Sequence, residues 1–193
     1  MSKSAIWKIP VFRIKQHDVI FFIGYAQAQE LLKVKVDVYH PIGNPQGYQR
    51  ILDKYRAKRF MRYIRYSKHI SPPAITLSVR GPFEFEEKDQ DTHYGILKIP
   101  QRSKVYVVDG QHRKEGLSMA IKENASLREL EFPIIILCPY LWFSEASSPW
   151  YKPNPNQDDY RFVEALQFVV INKTQRKVRP DLADAFLKRL PDN

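Results

Sequence analysis

Residues 104–121 read Lys104-Val105-Tyr106-Val107-Val108-Asp109-Gly110-Gln111-His112-Arg113-Lys114-Glu115-Gly116-Leu117-Ser118-Met119-Ala120-Ile121. The run up to Val108 is β-branched and aromatic, the composition of a buried strand. It stops at Asp109-Gly110, a turn pair. Leu117, Ala120 and Ile121 then fall on one helical face. The order is strand, tight glycine turn, helix. Such a turn aims free backbone N–H groups and the positive end of a helix dipole at one spot, which suits a phosphate. Arg113, in the first helical turn, adds a planar fork for the same anion, with Lys114 beside it. Asp109, at the strand end, is placed to hold a metal ion, to orient a water, or simply to cap the helix. Asp, Gln, His and Arg all arrive between positions 109 and 113, more polar side chains than a plain turn requires.

Upstream, Gln49 to His69 carries Arg50, Lys54, Arg56, Lys58, Arg59, Arg62, Arg65 and Lys68 against one acid, Asp53. That is most of the net charge of +10 of the 193-residue chain. Propensity favours a helix. Arg50, Lys54, Lys58, Arg62 and Arg65 are spaced along one face, with Leu52, Tyr55, Phe60, Tyr63 and Ile64 roughly opposite and Arg56 and Arg59 interrupting that apolar side. Exposed cationic helices normally intersperse acids, because like charges four apart repel by a few tenths of a kcal/mol. The scarcity of acids favours a phosphate partner, either DNA or the polyphosphate of a nucleotide, over a merely solvated face.

Hydrophobic residues make up 44% of the chain and aromatics 13%, which excludes a disordered chain and predicts one domain with a real core. The single cysteine, Cys138, sits after the apolar run Phe132 to Leu137 and reads as a buried thiol, so neither a disulfide nor a cysteine metal site is available. The histidines (His17, His40, His69, His93, His112) show no metal spacing. There is no P-loop motif and no internal repeat. Val19 to Ala26 is too short to span a membrane, and no signal-peptide pattern precedes it.

Strands are predicted at Ala5–Ile14 (an edge strand, since Pro10 lacks a donor), Val19–Tyr25, Lys33–Tyr39, Ala74–Val79 (central), Tyr94–Ile99 and Phe132–Cys138. Gln27–Lys33 reads as one or two helical turns, His40–Tyr48 as a loop, and Gly81–Thr92 as an acidic surface arm. Pro139–Asp159 reads as a long irregular segment whose Trp142, Phe143, Trp150 and Tyr151 either stack on bases or pin the loop to the core. Tyr160–Ile171 has helical spacing. Asn172 to Arg176 reads as a polar loop, and Pro180–Leu187 as a closing helix.

Asp109-Gly110-Gln111-His112-Arg113 spells DGQHR, and the chain resembles the DGQHR-domain proteins, which include the DndB and DpdB families of bacterial DNA-modification gene clusters. Two further segments match in the same order: Gly47-Tyr48-Gln49-Arg50 before the basic helix, and Val170-Ile171-Asn172-Lys173-Thr174-Gln175-Arg176-Lys177-Val178 after it, so the resemblance spans residues 47 to 178. The resemblance implies an α+β fold similar to the ParB/sulfiredoxin superfamily, a mixed twisted sheet flanked by helices with a Gly-x-x-Arg turn against a nucleotide phosphate. Residues 1–193 would form a single domain, either a short member or the N-terminal part of a longer protein.

The function implied is that of a nucleotide-binding, ATP-hydrolysing accessory protein in 7-deazaguanine insertion into DNA or in phosphorothioation. Asp109, Gln111, His112 and Arg113 would be catalytic, with Asp109 a candidate Mg²⁺ ligand. Gly110, Arg113, Lys114, Asn172, Thr174, Gln175 and Arg50 would hold ATP or another NTP. Arg50, Lys54, Lys58, Arg62 and Arg65 would hold DNA. One rival is a non-catalytic DNA-binding repressor of a DNA-modification operon. Another is a ParB-like nuclease, for which the chain has no room to carry a nuclease domain. Sulfiredoxins carry a cysteine where this chain has Gln111, which excludes their thiol chemistry. The partners implied are DNA, other proteins of the same gene cluster and, as an option, further copies of the chain, in the cytoplasm of a bacterium using DNA modification for defence.

Overall fold

A computed structural model describes residues 6–17, 19–66, 72–144, 146 and 151–174. Its centre is one eight-stranded mixed sheet. The strands are β1 (Ile6–Gln16), β2 (Val19–Gln27), β3 (Lys35–Val36), β4 (Ile75–Arg80), β5 (Glu84–Asp89), β6 (Tyr94–Pro100), β7 (Lys104–Asp109) and β8 (Glu131–Leu137). Their order across the sheet is β3-β7-β4-β8-β2-β1-β6-β5. The β3–β7 and β4–β8 pairs are parallel and the others antiparallel. The helices are α1 (Ala28–Leu31), α2 (Lys54–Tyr66), α3 (Gln111–Glu123), α4 (Pro139–Ser144) and α5 (Gln157–Thr174). The expected α+β class and mixed sheet are what the chain adopts.

Alternation decides which side chains face the main core. β6 buries Gly95, Leu97 and Ile99 and half-exposes the residues between them, as a period of two requires. Ile9, Val11, Phe22, Leu77, Val79, Ile134 and Ile136 join them in one cluster with Leu31 of α1 and Leu117 and Ile121 of α3. A second cluster, Trp142, Phe143, Tyr160 and Val163, joins α4 to α5. Trp142 is fixed there by its indole N–H, which donates to the Ile20 carbonyl at 3.0 Å. Cys138 is fully buried, as its composition predicted.

Several boundaries differ from the sequence reading. β1 is an inner strand, paired on both sides by β2 and β6. Its pairing with β2 starts only at Val11, so Pro10 lies where β6 alone flanks the strand. The strand expected over 33–39 shrinks to Lys35–Val36, because the chain beyond it turns off into the isolated bridge between Val38 and Gln49. The segment after Cys138 contains the short helix α4, held by its buried aromatics. Asn172 to Thr174 continue α5 rather than opening a loop. Gln175, Arg176 and the helix expected at 180–187 lie outside the described residues. The acidic arm is the edge strand β5, whose Glu84 and Glu86 pair with Lys98 Nζ at 2.9 and 2.8 Å. Charges on an edge strand discourage further strand pairing.

On the other side of β4, Thr76, Ser78 and Arg80 are buried polar residues. Arg80 is 2% exposed, and its guanidinium is the hub of a network. Nη2 lies 2.6 Å from Asp37 Oδ2 and 2.5 Å from Glu164 Oε2 of α5, and Nε lies 2.8 Å from Glu164 Oε1. The cation also sits 3.7 Å above the Tyr106 ring. Arg161 Nε donates to the same Asp37 oxygen at 3.0 Å, and Asn44 Nδ2 to the other at 2.8 Å. Burial alone would raise the Asp37 pKa, but the donors from Arg80, Asn44 and Arg161 outweigh it and the net shift is downward. Burial likewise opposes the Arg80 charge and is outweighed by Glu164 and Asp37, so its pKa moves up. Two cations and two carboxylates cancel, which is the condition for burying charge at all. Substituting Arg80→Met leaves two buried carboxylates short of a partner and is expected to destabilise the fold by about 3–5 kcal/mol, whereas the exposed Arg59→Met changes stability by less than about 0.5 kcal/mol. Chemical denaturation of both variants checks this; equal midpoints would mean that the network contributes nothing net.

Candidate phosphate-binding turn and basic helix

β7 carries one residue more than β4 where it ends: Asp109 stands opposite Thr76, and Val107 opposite Leu77. The extra residue is Val108, so the strand bulges one residue before the turn, a feature that re-aims backbone groups. The re-aimed carbonyls have partners. Gln49 Nε2 donates to Val107 O at 3.2 Å and to Val108 O at 2.5 Å, and Tyr48 Oη donates to Val107 O at 3.1 Å. Burial first, then the nearby Glu164 carboxylate, pushes the Tyr48 phenol far above its ordinary pKa, which keeps it a donor. Gly47 precedes them because a Cβ there would stand 2.4 Å from the Val38 carbonyl. The segment Gly47-Tyr48-Gln49 therefore matches beside the motif for a packing reason.

Gly110 follows with φ +107°, left-handed backbone that disfavours any side chain, and it caps α3. A Cβ there would also lie 3.1 Å from Arg113 Nε and Nη2. Lys114 N closes the first helical bond to Gly110 O at 2.9 Å. Arg113 folds back over the turn. Its Nη2 lies 2.6 Å from Asp109 Oδ2 and 3.1 Å from the Ala74 carbonyl, while its Nε is buried without a partner among the described residues. Burial holds the Lys114 ammonium below its ordinary pKa.

The other two motif side chains grip the basic helix. Gln111, 6% exposed, donates through Nε2 to the Arg50 carbonyl at 3.0 Å. His112 Nε2 accepts from the Asp53 N–H at 3.1 Å. Asp53 in turn caps α2, its Oδ1 accepting from Tyr55 N at 2.9 Å and Arg56 N at 3.2 Å. The polar crowding at 109–113 thus has a structural account: two residues hold each other and two hold α2.

The two helices then approach backbone to backbone. A Cβ on Gly116 would lie 2.6 Å from the Ala57 carbonyl and 3.0 Å from Met61 N. The inward stripe of α2 is Ala57, Phe60, Met61 and Ile64, spaced three and four apart. Tyr55, expected on the inner face, is 69% exposed, and Arg56 and Arg59 interrupt nothing because the stripe passes between them. Lys54, Arg56, Lys58, Arg59, Arg62 and Arg65 all face solvent, as does Arg50 before the helix. Arg56 pairs with Asp53 at 3.4 Å and Arg65 pairs with Glu123. Among the described residues no carboxylate pairs with Arg50, Lys54, Lys58, Arg59 or Arg62.

The site residues named from sequence fall into three places. Asp109, Gly110, Gln111, His112, Arg113, Lys114 and the Arg50 backbone meet at the turn. Lys54, Lys58, Arg62 and Arg65 line the outer face of α2, beside it. Asn172 and Thr174 end α5, which advances along β7: Glu164 meets Arg80 near its start, and the Phe168 ring lies 6.1 Å from Tyr48 near its end. Asn172 Nδ2 is spent on the Phe168 carbonyl at 2.8 Å. Gln175 lies outside the described residues. Sequence reading missed Tyr48 and Gln49 as strand-end donors and missed the whole Arg80 network. Arg80 ends a strand of β character and Glu164 lies within an apolar helix, and a charge inside such a pattern is the signal that was there. Among the described residues no three His, Cys, Asp or Glu side chains gather as metal ligands, and no helix is long and apolar enough to cross a membrane.

Compared with models of known families, residues 9–140 match DndB, described as DNA-sulfur modification-associated. No curated protein and no solved structure matches the chain.

Burial, and then the charge of Arg56, lower the His112 pKa from its ordinary 6.5. The unfolded chain therefore takes up this proton first as pH falls. Stability is expected to decline from about pH 6.5 downward until the lower folded value is passed, as the Asp53 N–H loses its acceptor. Wild type and His112→Phe should differ in that window; parallel stability–pH curves would exclude a neutral, accepting His112. Gly116→Val should separate α2 from α3 and cost about 2 kcal/mol or more, read as a lower melting temperature.

Proposed function

The chain belongs to the DndB family, DNA-sulfur modification-associated proteins, and we propose that within such a system it binds DNA through helix α2. One observation carries the reading. Arg50, Lys54, Lys58, Arg59 and Arg62 are exposed with no carboxylate paired to them among the described residues, on and just before a helix that α3 holds at three places, Gln111, His112 and Gly116. A clamped helix presents its cations in constant register and loses little order on meeting a phosphate backbone. Asp53 is occupied in capping the helix and pairing with Arg56, and Glu123 pairs with Arg65. Contacts of these cations with the phosphate backbone would contribute affinity and position rather than sequence choice. A DNA-binding regulator of the modification genes is the role that fits, and its partners would be the other proteins of the same gene cluster.

A second reading has its own observation: Arg113 Nε is buried and, among the described residues, without a partner, at a left-handed glycine that opens a helix. This favours a phosphate turn like that of the ParB/sulfiredoxin group, with ATP or another NTP as ligand. Mg²⁺ would enter with the nucleotide, supply charge neutralisation on the phosphates, and take Asp109 as a single protein ligand, in the manner of magnesium sites. Asp109 is free for this only when it releases Arg113, whose fork then turns to the anion.

Two measurements test these readings. Fluorescence anisotropy with a duplex should give strongly salt-dependent affinity, and Lys58→Ala with Arg62→Ala should lower the slope of log K against log salt by about 2 on any sequence. An unchanged slope would remove α2 from the interface. Phosphate release from ATP, GTP and CTP with Mg²⁺, with and without duplex, should require Asp109 under the second reading; turnover equal in Asp109→Ala would place any NTPase elsewhere.

A further inference from the structure

A cavity of about 790 Å³ opens at the start of β7, the end remote from Gly110. Five residue steps along the strand set the two about 17 Å apart. The first residues of β1, the last of β6, the first of β7 and the link from α1 to β3 enclose it. Its floor is apolar: Ile9, Val34 and Ile99 are buried core residues, and half-buried Trp7 and Val105 pack against them. Its rim is cationic. Lys33 is neutralised by Glu30 at 2.9 Å, but among the described residues no carboxylate pairs with Lys8, Lys35 or Lys104. Glu131 is the one other acid on the lining.

Neither feature is needed by the fold. A strand end can close over its core, and nothing in the packing calls for three exposed lysines on one lining with no carboxylate paired to them among the described residues. The volume is that of a small-molecule site, which typically combines an apolar lining with a few convergent polar groups. The indole of Trp7 offers a flat face for a ring, and three lysines suit a phosphate dianion without demanding a fixed fork. We infer that this cavity binds a nucleotide-sized aromatic phosphate, its ring against Trp7 and its phosphate among Lys8, Lys35 and Lys104. This site stands apart from the DGQHR turn and from α2, and does not depend on either reading of them.

The test is calorimetric titration of the whole chain with AMP, with inorganic phosphate and with adenosine. AMP should saturate, and each half-ligand should bind about tenfold or more weakly, since stacking and phosphate capture are each lost in one of them. Lys8→Glu with Lys104→Glu, both exposed positions, should weaken AMP about tenfold or more, and Trp7→Leu should weaken AMP and leave inorganic phosphate unchanged. Circular dichroism melts confirm that the variants are folded. No saturable AMP binding by the wild-type chain, or binding insensitive to both the lysine and Trp7 changes, would each overturn the inference.

Discussion

The Ala57 carbonyl occupies the space where any side chain on Gly116 would begin, and the functional surface depends on that close approach. Two helix backbones meet there with almost nothing between them. The contact is short enough for Gln111 to reach the Arg50 carbonyl and for His112 to reach the Asp53 amide. A bulkier residue at 116 would lift α2 beyond the reach of both. A cationic helix gains little from packing by itself, since it has one narrow apolar stripe and a repelling outer face. Here the missing Cβ and the two side-chain bonds supply what the stripe lacks. The motif that marks the chain is first of all the clamp that holds its basic helix.

Behind the clamp, the bulge at Val108 links it to the rest of the molecule. Gln49 and Tyr48 take up the strand's carbonyls, and they belong to the segment that runs from Asp37 to α2. Asp37 in turn belongs to the Arg80 network, which ties that segment to β4 and α5. One chain of hydrogen bonds thus runs from α5, through the buried guanidinium, to the turn and the basic helix. Buried ion pairs of this kind are weak as sources of stability but demand one geometry, because every partner displaced leaves a charge in a dry place. The apolar core allows several ways to rest a loop on a sheet, and the network permits one.

The sheet was legible because its strands obey simple periodicities. β6 alternates, β4 and β8 are apolar runs, and β7 ends at a glycine that no other residue replaces cheaply. The charge around α2 was legible because eight basic residues with one acid between positions 49 and 69 are conspicuous in any register. Its inner face was misjudged at Tyr55, since a small residue, Ala57, makes the deepest contact and hydrophobicity does not reveal that. Pro10 was misjudged as an edge marker because a strand can have a neighbour along half its length and none along the other half. The helix α4 was hidden among prolines and serines, and is held by Trp142 reaching β2 and Phe143 packing on Tyr160 of α5.

The sequence by itself determined the class of fold, the strand–glycine–helix turn, the buried cysteine and the concentration of positive charge on α2. These follow from local rules: side-chain period, backbone freedom at glycine, and the sign of the charge. Only the tertiary structure decided what the polar side chains do. Whether Arg113 reaches outward or folds onto Asp109, whether Gln111 meets a ligand or a carbonyl, and whether Arg80 is solvated or enclosed by Asp37 and Glu164 are set by groups up to 84 residues away. A hydrogen bond is specified by distance and angle in space, and position along the chain carries neither.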